Sequence, residues 1–186
     1  PVTPPNPENP PIEKKVNEAE SANLGARDEE FTYTIDTTVP LDVTGFAVYD
    51  TIEKVLEFSG ENGQASATVD GQPLDASHIT IKGQKITVKL TEDEAKALGG
   101  KAVHVSFKAK IKAGANLSAY LSEDKSIKIS NKAAYRADLP NKPGFTKKMV
   151  RHGFTTPLNT TLTMTQEQNK VLNQFQSFHQ PQLNQN

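Results

Sequence analysis

Between Ile12 and Tyr135 apolar and polar residues alternate in short runs, the period of a strand with one buried and one wet face. IEKKVN puts Ile12, Lys14 and Val16 on one side and Glu13, Lys15 and Asn17 on the other. After a polar loop through Asn23, Gly25 and Asp28, EFTYTIDTTVP groups Phe31, Tyr33 and Ile35 and stops at Pro40. GFAVYDTI groups Phe46, Val48, Asp50 and Ile52. Further strands are read from ASATVDGQPL, HITIKGQKITVKL and KAVHVSFKAKIKA. The last sets Val103, Val105, Phe107, Ala109 and Ile111 against His104, Ser106, Lys108, Lys110 and Lys112. SIKISNKAAY reads as one strand that gives Ile127, Ile129, Asn131, Ala133 and Tyr135 a common face. TEDEAKALGG departs from this period: it predicts a short helix with Thr91 as N-cap, Glu94 as its capping-box partner and a stop at Gly99 or Gly100.

The two ends differ from this middle. PVTPPNPENPP holds six prolines and little that could pack, so it predicts an extended, stiff spacer. From Met149 the alternation fades, seven of the ten glutamines follow, and Glu167 is the one acidic residue. There TQEQNKVLNQFQSF could form an amphipathic helix with Val171, Leu172, Phe175 and Phe178 on one side, or stay a disordered polar segment. The expected organisation is a Pro-rich linker over 1–11, an all-β immunoglobulin-like sandwich with one short helix over 12–148, and a separate tail over 149–186.

Composition narrows the function. Lys and Arg total 21 against 22 Asp and Glu, so a net charge of -1 gives no bulk reason to bind nucleic acid or an anionic membrane. With no cysteine there is neither a disulfide framework nor a thiolate metal site, and any covalent staple must use other chemistry. The histidines, His78, His104, His152 and His179, are scattered without metal-ligand spacing, and no cofactor is expected. No apolar run approaches the roughly 20 residues of a membrane span, LPNKP lacks the Thr-Gly of a sorting signal, and if the protein is secreted its signal has been removed or lies outside these residues, as would any anchor. No nucleophile is paired with a histidine and a carboxylate, which argues against a hydrolase. Without tryptophan and with 6% aromatics there is little to build a ligand cavity from.

Three polar residues fall on apolar strand faces: Lys14, Asp50 and Asn131. Each has an ordinary explanation alone: Lys14 could snorkel to solvent, Asp50 could cap a turn, and Asn131 could bond backbone. Together they can make an amide bond. Burial disfavours charge, so a buried lysine presents a neutral, nucleophilic amine and a buried aspartic acid keeps its proton. Asp50 could then polarise the Asn131 carboxamide and carry protons while Lys14 attacks and ammonia leaves. Phe31, Tyr33 and Phe107 are the candidate walls that exclude water.

IEKKVN after a Pro-rich linker, FTYTI ending in TVP, FAVYDTI, the VDGQPL hairpin and ISNKAAY together resemble the isopeptide-forming fimbrial (CnaA-like) domains of Gram-positive pilins and sortase-anchored adhesins, over roughly residues 10 to 140. The resemblance implies a Lys-Asn isopeptide bond between Lys14 and Asn131 beside the acid Asp50. Lys15 is the rival amine, although strand phase favours Lys14, and Asp36 is the rival acid. It further implies an extracellular stalk module of a cell-wall protein or pilus that is not an enzyme beyond one self-crosslinking event. Its partners would be neighbouring domains of the same protein, with an unidentified host ligand if the domain is instead an adhesin lobe. The tail carries none of the three groups, so a chain ending near Lys148 is expected to react.

Overall fold

The computed structural model describes residues 8–144, 146, 149–155 and 160–169. Among them are fourteen strands: β1 (Glu13–Val16), β2 (Ser21–Asn23), β3 (Phe31–Thr38), β4 (Gly45–Thr51), β5 (Leu56–Phe58), β6 (Ser66–Val69), β7 (Gln72–Pro73), β8 (Ile79–Lys82), β9 (Lys85–Lys89), β10 (Ala102–Ile111), β11 (Ile127–Asn131), β12 (Ala133–Asp138), β13 (Val150–Phe154) and β14 (Thr160–Met164). One sheet runs β1-β3-β10-β6-β7, with β5 also on β10; a second runs β13-β12-β4-β9-β8; a third runs β11-β14-β2. Inward side chains from all three sheets meet in one core, with Phe31, Tyr33, Ile35, Phe107, Val48, Tyr135 and Leu162 almost wholly buried. This is the all-β, immunoglobulin-like sandwich that the alternation predicts.

Local chemistry explains several elements. Asp70 and Gly71, both at positive φ, turn β6 into β7, the backbone that an Asp-Gly hairpin favours. The helix α1 (Glu92–Ala97) starts at Thr91: its hydroxyl accepts from the Glu94 amide at 3.2 Å, and the Glu94 carboxylate accepts from the Thr91 amide at 2.8 Å. At Gly153 any Cβ would lie 2.2 Å from the Tyr135 ring, so the glycine makes room for that ring on the neighbouring strand.

SIKISNKAAY is not one strand. It breaks at Lys132: β11 pairs with β14, while β12 crosses into the second sheet between β13 and β4. The inward phase survives this corner, because Ile127, Ile129, Asn131, Ala133 and Tyr135 are all buried. Ala134, expected on the wet side, is buried as well.

The boundary at residue 148 also fails. Residues 150–154 and 160–164 form strands of the sandwich, with Thr160, Leu162 and Met164 buried and Thr161 and Thr163 half-buried. Threonine fits a pleated, half-buried surface, but an apolar count does not register it. Residues 166–169 form a helical turn, which Thr165 caps by accepting from the Gln168 amide at 3.1 Å. The apolar positions proposed for that helix, Val171, Leu172, Phe175 and Phe178, lie outside the described residues.

Of the expected spacer, residues 1–7 lie outside the described residues, and its last residues pack on the domain. Pro10 is buried, its carbonyl accepts from the Tyr135 hydroxyl at 2.9 Å, and the Pro11 carbonyl accepts from the Thr37 hydroxyl at 2.9 Å. The chain is held there because its carbonyls find buried donors, so Pro10 and Pro11 belong to the domain and not to the expected spacer. If β14 is a core strand, Leu162→Ala lowers unfolding free energy by about 2–5 kcal/mol. The same change at the half-exposed Leu121 costs less than about 0.5 kcal/mol. Denaturant titration reads both, and equal small effects would return residues 160–164 to a dispensable tail.

Candidate functional site: a buried amine, acid and amide

β1 pairs with β3, and it points Lys14 and Val16 inward because both share the apolar phase. Lys14 stands opposite Ile35 in register, and its side chain is 1% exposed. Its Nζ lies 3.9 Å from the centroid of the Tyr33 ring and 5.1 Å from that of Phe107. Phe31 meets Tyr33 edge-on at 5.3 Å and Phe58 lies 5.7 Å from Phe107, so aromatic rings wall the amine from water. Across the core, Asp50 on β4 has a fully buried side chain whose Oδ2 accepts a hydrogen bond from Lys14 Nζ.

Asn131 ends β11, where the chain turns into β12, and Ala133 just beyond it pairs with Asp50 in register. The corner therefore brings the carboxamide to Asp50. Burial lowers the pKa of Lys14 and raises that of Asp50, and their mutual attraction opposes both shifts. The pair is thus driven toward a neutral amine and a protonated acid, the forms that amide exchange needs. Burial likewise raises the Tyr33 hydroxyl above its ordinary pKa, so it stays protonated.

Three buried side-chain polar atoms have no hydrogen-bond partner among the described residues: Tyr33 Oη, Asp50 Oδ1 and Asn131 Nδ2. All three belong to this one cluster. Asn131 is close enough to Asp50 and Tyr33 to affect the ionisation of each, yet none of the three atoms makes a bond of good geometry. Unpaired buried groups are costly, and their concentration here marks a place built for something besides stability. A cleft of about 190 Å³ is lined by Thr51, Glu53, Ser130, Asn131 and Lys132.

The rival residues lie elsewhere. The Lys15 side chain is 40% exposed and pairs with Glu13 at 3.3 Å. Asp36 is on the outer face of the first sheet, where its carboxylate meets His104 Nδ1 at 2.7 Å. Ser106 shares that face with His104 and Asp36. A separate cavity of about 330 Å³ beside Arg27 is lined by none of Lys14, Asp50 and Asn131. Sequence reasoning treated Tyr33 as an apolar wall and missed its hydroxyl, and it missed Thr160, whose Oγ1 donates to the Lys14 carbonyl at 3.0 Å.

This sandwich is the fold of Gram-positive pilin subunits. The major pilin BcpA of Bacillus cereus superposes with a TM-score of 0.60 at 22% identity, over 83% of this chain and 40% of that one. The pilus backbone protein RrgB of Streptococcus pneumoniae gives 0.52 at 20% identity, over 72% of this chain and 34% of that one. In sequence, the chain is 88% identical over 144 residues to Platelet adherence protein A of Streptococcus gordonii, a match that covers 77% of this chain and 4% of that much longer protein. No family model matches the chain.

The unpaired Tyr33 hydroxyl yields a direct prediction. Removing a bonded buried hydroxyl costs roughly 1 kcal/mol or more, whereas removing an unpaired one is neutral or stabilising. Tyr33→Phe, measured by denaturant titration in a Lys14→Met background that keeps Asn131, is therefore expected to leave stability unchanged or raised. A clear loss would show that the hydroxyl has a partner.

Proposed function

We propose that this chain is a structural stalk module of a Gram-positive surface protein or pilus, stabilised by an autocatalytic isopeptide bond between Lys14 and Asn131. The observation that carries this reading is the convergence of a buried amine, acid and amide, with three unpaired polar atoms, inside aromatic walls. The pilin fold and the likeness to an adherence protein support the surface role.

The reaction balances without an external reagent. Asp50 hydrogen-bonds the Asn131 carbonyl oxygen, and the neutral Lys14 amine attacks Cγ of Asn131. A proton from the amine passes through the Asp50 carboxyl to Nδ2, the Cγ–Nδ2 bond breaks and ammonia leaves. A secondary amide remains, and Asp50 ends as it began. Each domain reacts once, so the chemistry serves stability and not turnover.

The crosslink closes a loop of about 117 residues, for which the loop-entropy argument used for disulfides gives ~4–5 kcal/mol. It also joins β1 to β11, so tension entering through β1 passes through a covalent bond and the intervening strands are shielded. A ligand-binding adhesin lobe is the second reading, favoured by the name of the protein that this chain resembles. Binding of the isolated domain to immobilised platelets, unchanged in Asn131→Ala, would support that reading. On the stalk reading, the domain binds nothing there.

Intact mass spectrometry tests the chemistry. The wild-type chain, Lys15→Ala and Asp36→Ala are expected to weigh one ammonia less than their sequences, while Lys14→Ala, Asn131→Ala and Asp50→Ala keep their full mass. Full conversion in Asp50→Ala would remove Asp50 as the acid, and loss of the reaction in Lys15→Ala would move the amine.

A further inference from the structure

Thr160 lies between the two groups to be joined. It is 1% exposed, its Oγ1 donates to the Lys14 carbonyl at 3.0 Å, and its backbone pairs in register with Asn131. Among the described residues β1 forms a ladder with β3 alone; its other side carries the isolated bridge Val16–Ala19 and no sheet ladder at Lys14. The Thr160 hydroxyl spans that gap and ties the backbone of the amine to the sheet that carries the amide. A lysine on an untethered edge strand could swing away from the carboxamide, and misplacement of about 1 Å can cost roughly a hundredfold in rate.

We propose that Thr160 is a positioning residue of the crosslinking reaction, and that the bond closes only once β14 has docked between β11 and β2. This inference rests on the crosslink reading above. Among the described residues Thr160 makes no side-chain hydrogen bond to either reacting group: it holds the backbone from which the Lys14 side chain departs, and through its register with Asn131 it sets the distance that the side chain must cross. Because β14 follows both crosslinking residues in sequence, the reaction then waits for the last described strand. A chain that has not folded as far as residue 164 stays open, which guards against joining Lys14 in a half-formed sandwich.

The test uses the full chain made by cell-free synthesis, with ammonia loss followed by intact mass after synthesis is stopped. Amide exchange at Leu162 and Thr163 reports whether β14 is docked. Thr160→Val keeps shape and burial without the donor, and Thr160→Ser keeps the donor. With β14 docked, Thr160→Val is expected to slow ammonia loss at least about tenfold, and Thr160→Ser to stay within about twofold of wild type. A docked Thr160→Val reacting at the wild-type rate would overturn the positioning role, as would a Thr160→Ser as slow as Thr160→Val. If Thr160→Val leaves β14 undocked, a slow reaction supports the docking requirement and an undiminished one overturns it. A wild-type chain that keeps its ammonia would instead refute the crosslink itself, and the unmutated control tells that failure apart.

Discussion

The structure depends on one electrostatic constraint: an amine and a carboxyl share a dry core, and neither can carry its charge there cheaply. Lys14 has its pKa lowered from 10.5 and Asp50 has its pKa raised from 3.8, both chiefly through burial. Below its ordinary pKa the unfolded lysine binds a proton that the folded one resists, so the stability penalty grows as pH falls from 10.5 toward the folded value. Above 3.8 the unfolded aspartate has released a proton that the folded one keeps, so its penalty grows as pH rises toward the folded value. At neutral pH the unreacted fold is strained from both sides. In the proposed reaction the lysine becomes an amide, which does not titrate, and the lysine's share of that strain disappears for good.

Everything near the pair serves this constraint. The Tyr33 and Phe107 rings occupy the space where water would solvate the amine, and their faces attract whatever positive charge it acquires. The corner at Lys132 lets one stretch of chain place Asn131 in one sheet and Ala133 beside Asp50 in another. Three sheets thus contribute one polar group each to the cluster: β1 the amine, β4 the acid and β11 the amide. The residues proposed to be joined stand far apart in sequence and both approach Asp50 in the fold, the arrangement in which a staple would constrain the unfolded chain most.

Most of this was legible in the sequence. Alternation of Val, Ile and Phe with Lys and Thr revealed the strands, and the same phase turned Lys14, Asp50 and Asn131 inward. Phase also separated Lys14 from Lys15 and Asp50 from Asp36, since the structure exposes the rival of each pair. What escaped was carried by residues that apolar counting ignores. In β14 three of five residues are threonines, and in β13 a glycine, an arginine and a histidine dilute the pattern. Pro10 reads as spacer because only a distant donor, the Tyr135 hydroxyl, makes its position useful. The unpaired Tyr33 hydroxyl was hidden for the opposite reason: an aromatic residue on an apolar face raises no question until its neighbours are known.

Tandem mass spectrometry of a proteolytic digest of the folded wild-type chain tests the central claim most directly. The account predicts one branched peptide in which the Lys14 side chain is joined to that of Asn131, with the mass of both parent peptides less one ammonia. Recovery of the Lys14 and Asn131 peptides as separate, unmodified linear species from mature, folded protein would contradict it.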